Sequence, residues 1–134
     1  MELIQIKEGL PSDVTMQLMS NEAVYYFSYI SFQGGCGSNQ TSTNHWIALS
    51  NNRVLYKTKV QENQTFIEKD GILPFDKISF IEVSEVQVSQ GCSQKKSFQL
   101  RISTSGGTLV IPIPTKEKGY EIRGVFTELS QLKP

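Results

Sequence analysis

Hydrophobic and polar residues alternate most regularly near the end of the chain. Over residues 97–104 every second side chain is apolar, which is the period of a half-buried β-strand. A Ser-Gly-Gly run at 105–107 predicts a turn, after which the alternation resumes over 109–113. These residues are therefore predicted to form a hairpin. Pro112 restricts its second strand to a sheet edge or a terminus, because proline cannot donate to a ladder.

Two further hairpins are predicted upstream. Apolar runs flank residues 50–53, Ser-Asn-Asn-Arg, where asparagine tolerates the positive φ of a tight turn. Apolar runs also flank Asp70-Gly71, a second turn pair. Over 78–88 the apolar phase shifts, which predicts a bulge or a bend, as where a strand turns a barrel corner.

In the N-terminal third of the chain, residues 23–33 are predicted to form a strand whose two faces are both covered by other parts of the protein. Residues 23–33 contain five aromatic side chains distributed over both faces. The expected cover is the N-terminal segment, residues 1–20, whose apolar side chains also need burial. Two interpretations of this segment stay open. Its apolar residues fit a strand period at 14, 16 and 18, and a helix period at 10, 14 and 18 after Pro11.

Beyond Pro114 the hydrophobic period changes to that of a helix. The apolar residues of one predicted stripe are Ile122, Val125, Phe126, Leu129 and Leu132. Thr115 is a predicted N-cap. About seven strands followed by one amphipathic helix predict a mainly β domain, in which the helix closes the apolar opening of a barrel.

The order of elements and two short motifs resemble the bacterial pleckstrin-homology-like (PH-like) domain family. Residues 50–53 are similar to its Thr-Asn-x-Arg hairpin turn, and residues 73–78 (LPFDKI) resemble its Ile-Pro-aromatic-x-x-Ile entry to the next strand. The final helix also follows the last strand directly. The resemblance covers about residues 20–132.

The resemblance implies a seven-stranded PH-like bent barrel, made of two orthogonal antiparallel sheets and capped by one C-terminal α-helix. This domain is assigned to residues 21–134, with residues 1–20 packing on the barrel. The family implies frequent self-association and no enzymatic activity. In lipid-binding pleckstrin-homology domains the first hairpin loop carries lysine and arginine, whereas residues 33–44 here have neither.

Composition narrows the classes of function. A chain of 134 residues is expected to form one domain, and its 13 basic and 13 acidic side chains cancel. We therefore expect no nucleic-acid partner. The N-terminus lacks the pattern of a signal peptide, so the expected location is cytoplasmic. Two cysteines and one histidine are too few for a structural zinc site, and no metal or cofactor is expected.

The glycine-rich loop at 34–38 contains Cys36, which a phosphate-binding or thiol-nucleophile hypothesis would use, with His45 as base. The loop has no lysine and no following helix, and His45 is better explained as a polar residue at a strand end. We predict two free thiols at Cys36 and Cys92. An intramolecular disulfide between these two similar loops is the alternative.

Two surfaces are candidates for binding. Opposite the apolar stripe, the last helix carries an uncharged strip edged by Arg123 and Glu128, and the strip residues are Tyr120, Gly124, Thr127 and Gln131. Glycine there costs about 1 kcal/mol relative to alanine, unless a partner backbone approaches. We therefore predict a non-catalytic module that self-associates or docks a protein partner through this strip. The alternative is a peripheral membrane adaptor that contacts anionic head groups through Lys57, Lys59, Lys95 and Lys96.

Overall fold

The computed structural model describes residues 3–33, 39–62, 65–88 and 95–131. These ranges contain seven strands, a short N-terminal helix and a long C-terminal helix. In chain order the elements are α1 (Ser12–Thr15), β1 (Val24–Gln33), β2 (Asn39–Ser50), β3 (Arg53–Glu62), β4 (Thr65–Pro74), β5 (Ile78–Val88), β6 (Lys95–Thr104), β7 (Gly107–Ile113) and α2 (Lys116–Gln131).

The strands form two antiparallel sheets. The first sheet has the order β1-β2-β3-β4 and the second has the order β5-β6-β7. The prediction of a mainly β fold with seven strands and a C-terminal helix is therefore confirmed. No ladder joins the two sheets within the described ranges, so they lie as separate sheets and do not close into the predicted barrel.

Two of the predicted hairpins are confirmed. Strands β2 and β3 pair on either side of residues 50–53, and β6 and β7 pair from Phe98 and Ile113 to the turn after Thr104. Pro112 lies in β7, the edge strand of the second sheet, as its missing N–H requires. The predicted bulge is found at the start of β5, between Ile78 and Phe80.

The turn predicted at Asp70-Gly71 is wrong. Strand β4 runs unbroken from Thr65–Pro74, and Gly71 lies opposite Tyr56 of β3. The hydroxyl oxygen of Tyr56 lies only 2.7 Å from where a Cβ of residue 71 would be. The glycine therefore makes room for an aromatic ring on the neighbouring strand, and it does so without forming a turn.

The main core lies between the two sheets and α2. It contains, among others, Ile47, Leu49, Leu100, Ile102, Ile111, Ile113, Ile122, Val125 and Leu129. Phe126 packs edge to face on Phe75, with ring centroids 5.1 Å apart. The hydroxyl of Thr115 accepts the Lys118 N–H at 3.1 Å, so the predicted N-cap is confirmed. Leu132, the last residue of the predicted stripe, lies outside the described residues.

A second apolar cluster covers the opposite face of the first sheet. Successive residues of a strand point to opposite faces, so Val54 belongs to the main core while Leu55 belongs to this second cluster. Its buried members are Val14, Val24, Trp46, Ala48 and Leu55. Val14 comes from α1, and Leu10 and Leu18 pack beside it. The helix period of the N-terminal segment is therefore the one that the structure adopts.

Candidate functional site

The four strip residues predicted on the last helix lie together on one side of α2. Tyr120, Gly124, Thr127 and Gln131 are spaced at i, i+4, i+7 and i+11, away from the buried stripe of Ile122, Val125 and Leu129. Tyr120 is 49% exposed, although it is a large aromatic residue. Thr127 and Gln131 are also exposed, and Gly124 is half-buried. We call this surface, with Arg123 and Glu128 at its edges, the helix strip.

The side chains at the N-terminal end of the strip are ordered by their neighbours. The guanidinium carbon of Arg123 lies 5.3 Å from the centroid of the Tyr120 ring, a cation-π contact. The hydroxyl of Thr127 donates to the carbonyl of Arg123 at 2.9 Å. Lys118 pairs with Glu121 at 3.3 Å, one turn away. The exposed tyrosine is therefore held on the helix surface by Arg123.

Two glycines of α2 have opposite environments. A Cβ added to Gly124 would meet no heavy atom within 4 Å, so the space above this position is open. A Cβ added to Gly119 would lie 2.8 Å from Cδ1 of Ile113 and 2.9 Å from Cγ2 of Val83. Gly119 is thus where the helix approaches the second sheet closely. Sequence reasoning missed it, although its spacing of three residues before Ile122 places it on the buried stripe.

The lysines of the alternative anion site do not form one patch. Lys57 lies 3.6 Å from a carboxylate oxygen of Asp13, and Lys59 is opposite Glu68 in the β3–β4 ladder. The charges of Lys57 and Lys59 are therefore balanced by acidic groups. Lys95 and Lys96 belong to β6 in the other sheet, and their side chains lie outside the described part of the chain.

Arg53, the first residue of β3, forms a clamp with Glu22. Its Nη2 and Nε donate to the two carboxylate oxygens of Glu22, at 2.5 and 2.8 Å. Nη2 also donates to the carbonyl of Gln17, and Ser50 donates to Glu22 at 2.5 Å. The side chain of Glu22 is only 1% exposed. This clamp ties the N-terminal segment to the β2–β3 turn.

The clamp sets the protonation state of Glu22. Burial acts to raise the pKa of Glu22, but the hydrogen bonds from Arg53, Ser50 and the Met19 N–H outweigh it and hold the pKa below the ordinary value of 4.5. The pKa of Arg53 is raised, chiefly by its hydrogen bonds to Glu22. Both groups are therefore charged at neutral pH, and each depends on the other.

A shallow cleft of about 220 Å³ lies beside the β6–β7 turn. Tyr56, Lys69 and Leu73 line one side, and residues of the turn line the other. Burial raises the pKa of Tyr56, with Lys69 opposing and Asp70 reinforcing this effect, so its hydroxyl stays protonated. The cleft is smaller than the roughly 300 to 1,000 Å³ typical of small-molecule sites.

Of the two side chains that the thiol-nucleophile hypothesis uses, the structure describes His45 but not Cys36. His45 lies within β2, so its placement at a strand end is wrong; it is buried, and its Nε2 lies 3.0 Å from a carboxylate oxygen of Glu68. Cys36 and Cys92 lie outside the described residues, so the free thiols and the alternative disulfide remain predictions. No group of three or more potential metal ligands occurs among the residues that the structure describes.

The N-terminal segment exposes apolar side chains, and Met16 is one of those that the sequence predicted to be buried. Met16 is 78% exposed and Met19 is 60% exposed, while Leu18 between them packs into the second cluster. Within the described ranges no helix has the length and apolar character needed to cross a membrane.

Comparisons of this sequence with known proteins found no match. No protein-family model matches the chain, and no curated protein matches it by sequence.

Proposed function

We propose that this protein is a non-catalytic interaction module. It uses a PH-like scaffold to hold the helix strip, and it acts by self-association or by docking a protein partner on that strip. The division of the strands into sheets of four and three, followed by a single C-terminal helix, supports a scaffold of two crossed sheets capped by α2. In such a scaffold the helix is a rigid platform, because its inner face is locked into the core.

The observation that carries the proposal is the pairing of an ordered, exposed aromatic residue with an open glycine. Tyr120 is held by Arg123 and is nearly half exposed. One turn later Gly124 leaves open space in which another backbone can approach. Tyrosine and arginine are enriched in protein interfaces, and a side chain that is already ordered loses less entropy on binding. The helix strip therefore has the features of a small docking surface.

The same geometry disfavours contact with anionic head groups as the main activity. Lys57 is paired with Asp13, and Lys59 faces Glu68 across the ladder. An approaching phosphate would have to compete with these carboxylates and would gain little net attraction.

The experiment compares wild-type protein with Gly124→Lys and with a matched control, Gly106→Lys. Gly106 is an exposed turn residue at which a Cβ meets only the Thr104 hydroxyl oxygen, at 3.9 Å, so the control adds the same charge elsewhere. Light scattering measures self-association, and immobilised protein is used to capture partners from the source cells. We expect binding by wild type and by Gly106→Lys, and its loss in Gly124→Lys. Identical behaviour of all three proteins would refute a docking role for the strip.

A further inference from the structure

We propose that residues 7–22 form a strap that opens as one unit when Glu22 loses its charge, while the two sheets and α2 stay folded. The strap leaves the first sheet after Ile6, whose N–H donates to a carbonyl of β1 at 2.8 Å. It returns at Ala23, whose carbonyl accepts an N–H of the β2–β3 turn at 3.0 Å. Backbone hydrogen bonds therefore anchor both ends, and the residues between them can move away without unpairing a strand.

The apolar contacts of the strap are separate from the main core. Leu10, Val14 and Leu18 belong to the second cluster, on the face of the first sheet that is turned away from α2 and the second sheet. Among the described residues, no buried side chain belongs to both clusters. Opening therefore leaves the main core intact and does not involve the helix strip. It uncovers an apolar face that includes Trp46, which is 2% exposed when the strap is closed.

The carboxylate of Glu22 holds the strap closed. Besides its bonds from Arg53 and Ser50, it accepts the N–H of Met19 at 3.1 Å. Arg53 also donates to the carbonyl of Gln17 at 3.0 Å. Arg53 is the charged group that faces this carboxylate, and its side chain is only 12% exposed. When Glu22 is neutral, the guanidinium lies in a poorly hydrated site without this counter-charge, a cost that opening removes.

Acid therefore favours the open strap. In the closed state the clamp holds the pKa of Glu22 below its ordinary value of 4.5, and in the open state the hydrated carboxyl returns towards that value. The open state thus binds the proton more tightly, so the open fraction rises as pH falls from 4.5 through the folded pKa. The pair of Asp13 with Lys57 also joins the strap to β3, but it is partly exposed and contributes less.

Hydrogen exchange followed by NMR at pH 6 tests whether the strap opens separately from global unfolding. The reporters are the N–H groups of residues 14–18, which bond within the strap, the indole N–H of Trp46, the only tryptophan, and the N–H groups of β6. We expect the first two sets to share one protection factor, about tenfold or more below that of β6. Leu129→Ala, beneath α2, should lower the protection of β6 and leave that of the strap unchanged.

A second comparison tests the role of Glu22. Glu22→Gln should lower the protection of residues 14–18 by about tenfold or more, and equally along the strap, because it removes charged hydrogen bonds that only the closed state has. The matched control Asp13→Asn should lower it by less than about fivefold. In wild type, strap protection corrected for intrinsic exchange should fall by about three- to tenfold between pH 6 and pH 3.5, and Glu22→Gln should show no such fall.

Three results would overturn the inference. If residues 14–18 exchange as slowly as β6 and lose protection together with it in Leu129→Ala, the strap opens only when the whole protein unfolds. If Glu22→Gln leaves the N–H of Val14 unchanged, the clamp does not hold the strap as one unit. If Glu22→Gln fails to fold, the wild-type pH comparison decides alone, and equal strap protection at pH 6 and pH 3.5 refutes the role of Glu22.

Discussion

Helix α2 and the N-terminal segment both cover apolar surface of the sheets, but different interactions hold them in place. Helix α2 has 16 residues and inserts a continuous stripe into the main core. Hydrogen bonds within the helix satisfy its interior backbone groups, and Thr115 caps its start. Over its described residues, 3–20, the N-terminal segment has only a four-residue helix and buries one fully enclosed side chain, Val14. It has too little regular structure to be held by packing alone.

The N-terminal segment compensates with polar contacts. Its chain is tied to the first sheet by the backbone bridge from Ile6 to Val24 and by the clamp between Glu22 and Arg53. A short cover therefore needs specific charged contacts, whereas a long amphipathic helix needs only its apolar stripe. The two covers should therefore respond differently to mutation and to pH.

The largest expected effect is a cavity under α2. Leu129 is 1% exposed, and Leu129→Ala should lower the free energy of unfolding by about 2 to 5 kcal/mol. Val14→Ala, beneath the other cover, removes less volume and should cost about 2 kcal/mol. Urea titration of both variants measures the difference. Equal losses would mean that the N-terminal segment packs as firmly as the helix.

Loss of the clamp should have the next largest effect. Glu22→Gln keeps the shape of the side chain but leaves Arg53 without its counter-charge, and should lower the free energy of unfolding by about 1.5 to 3 kcal/mol. Asp13→Asn is the matched control, since its pair with Lys57 is partly exposed and should contribute at most about 1 kcal/mol. A loss no greater in Glu22→Gln than in the control would show that the clamp does not hold the segment.

The clamp also predicts a dependence on acid. The folded-state pKa of Glu22 lies below its ordinary value of 4.5, so its contribution is complete above that value and is lost as pH falls through the folded pKa. Wild-type stability should therefore fall more steeply below about pH 4.5 than that of Glu22→Gln. Urea titrations of both proteins between pH 3 and pH 7 test this, and parallel curves would contradict it.

The smallest effects distinguish the two glycines of α2. Gly119→Ala gains about 1 kcal/mol of helix propensity but forces a Cβ against Ile113 and Val83, so a net loss of up to about 2 kcal/mol is expected. Gly124→Ala meets no neighbour and should stabilise the monomer by about 0.5 to 1 kcal/mol. Thermal denaturation of the two variants gives the sign of each change. Stabilisation by both would show that α2 does not approach the second sheet closely at Gly119.

Much of the fold could be predicted from local patterns. The β6–β7 hairpin, the edge position of Pro112, the N-cap at Thr115 and the stripe of α2 each depend on residues close together in the chain. The prediction of a turn at Asp70-Gly71 was wrong because the role of this glycine depends on a residue that is distant in the sequence. Gly71 is explained by Tyr56, which lies 15 positions earlier in the sequence and beside it only after the strands pair.

The residues of the candidate site also fall into those that local sequence predicts and those that depend on distant partners. The helix strip was predicted because one helix places all of its residues, so their spacing alone puts them on one face. The clamp was missed because Arg53 and its partner Glu22 are 31 positions apart in the sequence. Gly119 was missed because its neighbours belong to β5 and β7.

Residue order alone therefore specifies the class of this protein: a run of strands with short turns, and one amphipathic helix with a polar outer strip. These properties follow from periods of two and 3.6 residues, which act within single elements. Tertiary packing determines which glycines are needed because a neighbouring side chain approaches closely, which charges are paired, and whether the N-terminal segment is helix or strand. Those outcomes depend on groups from distant parts of the chain, whose contacts form only when the two sheets and their covers come together.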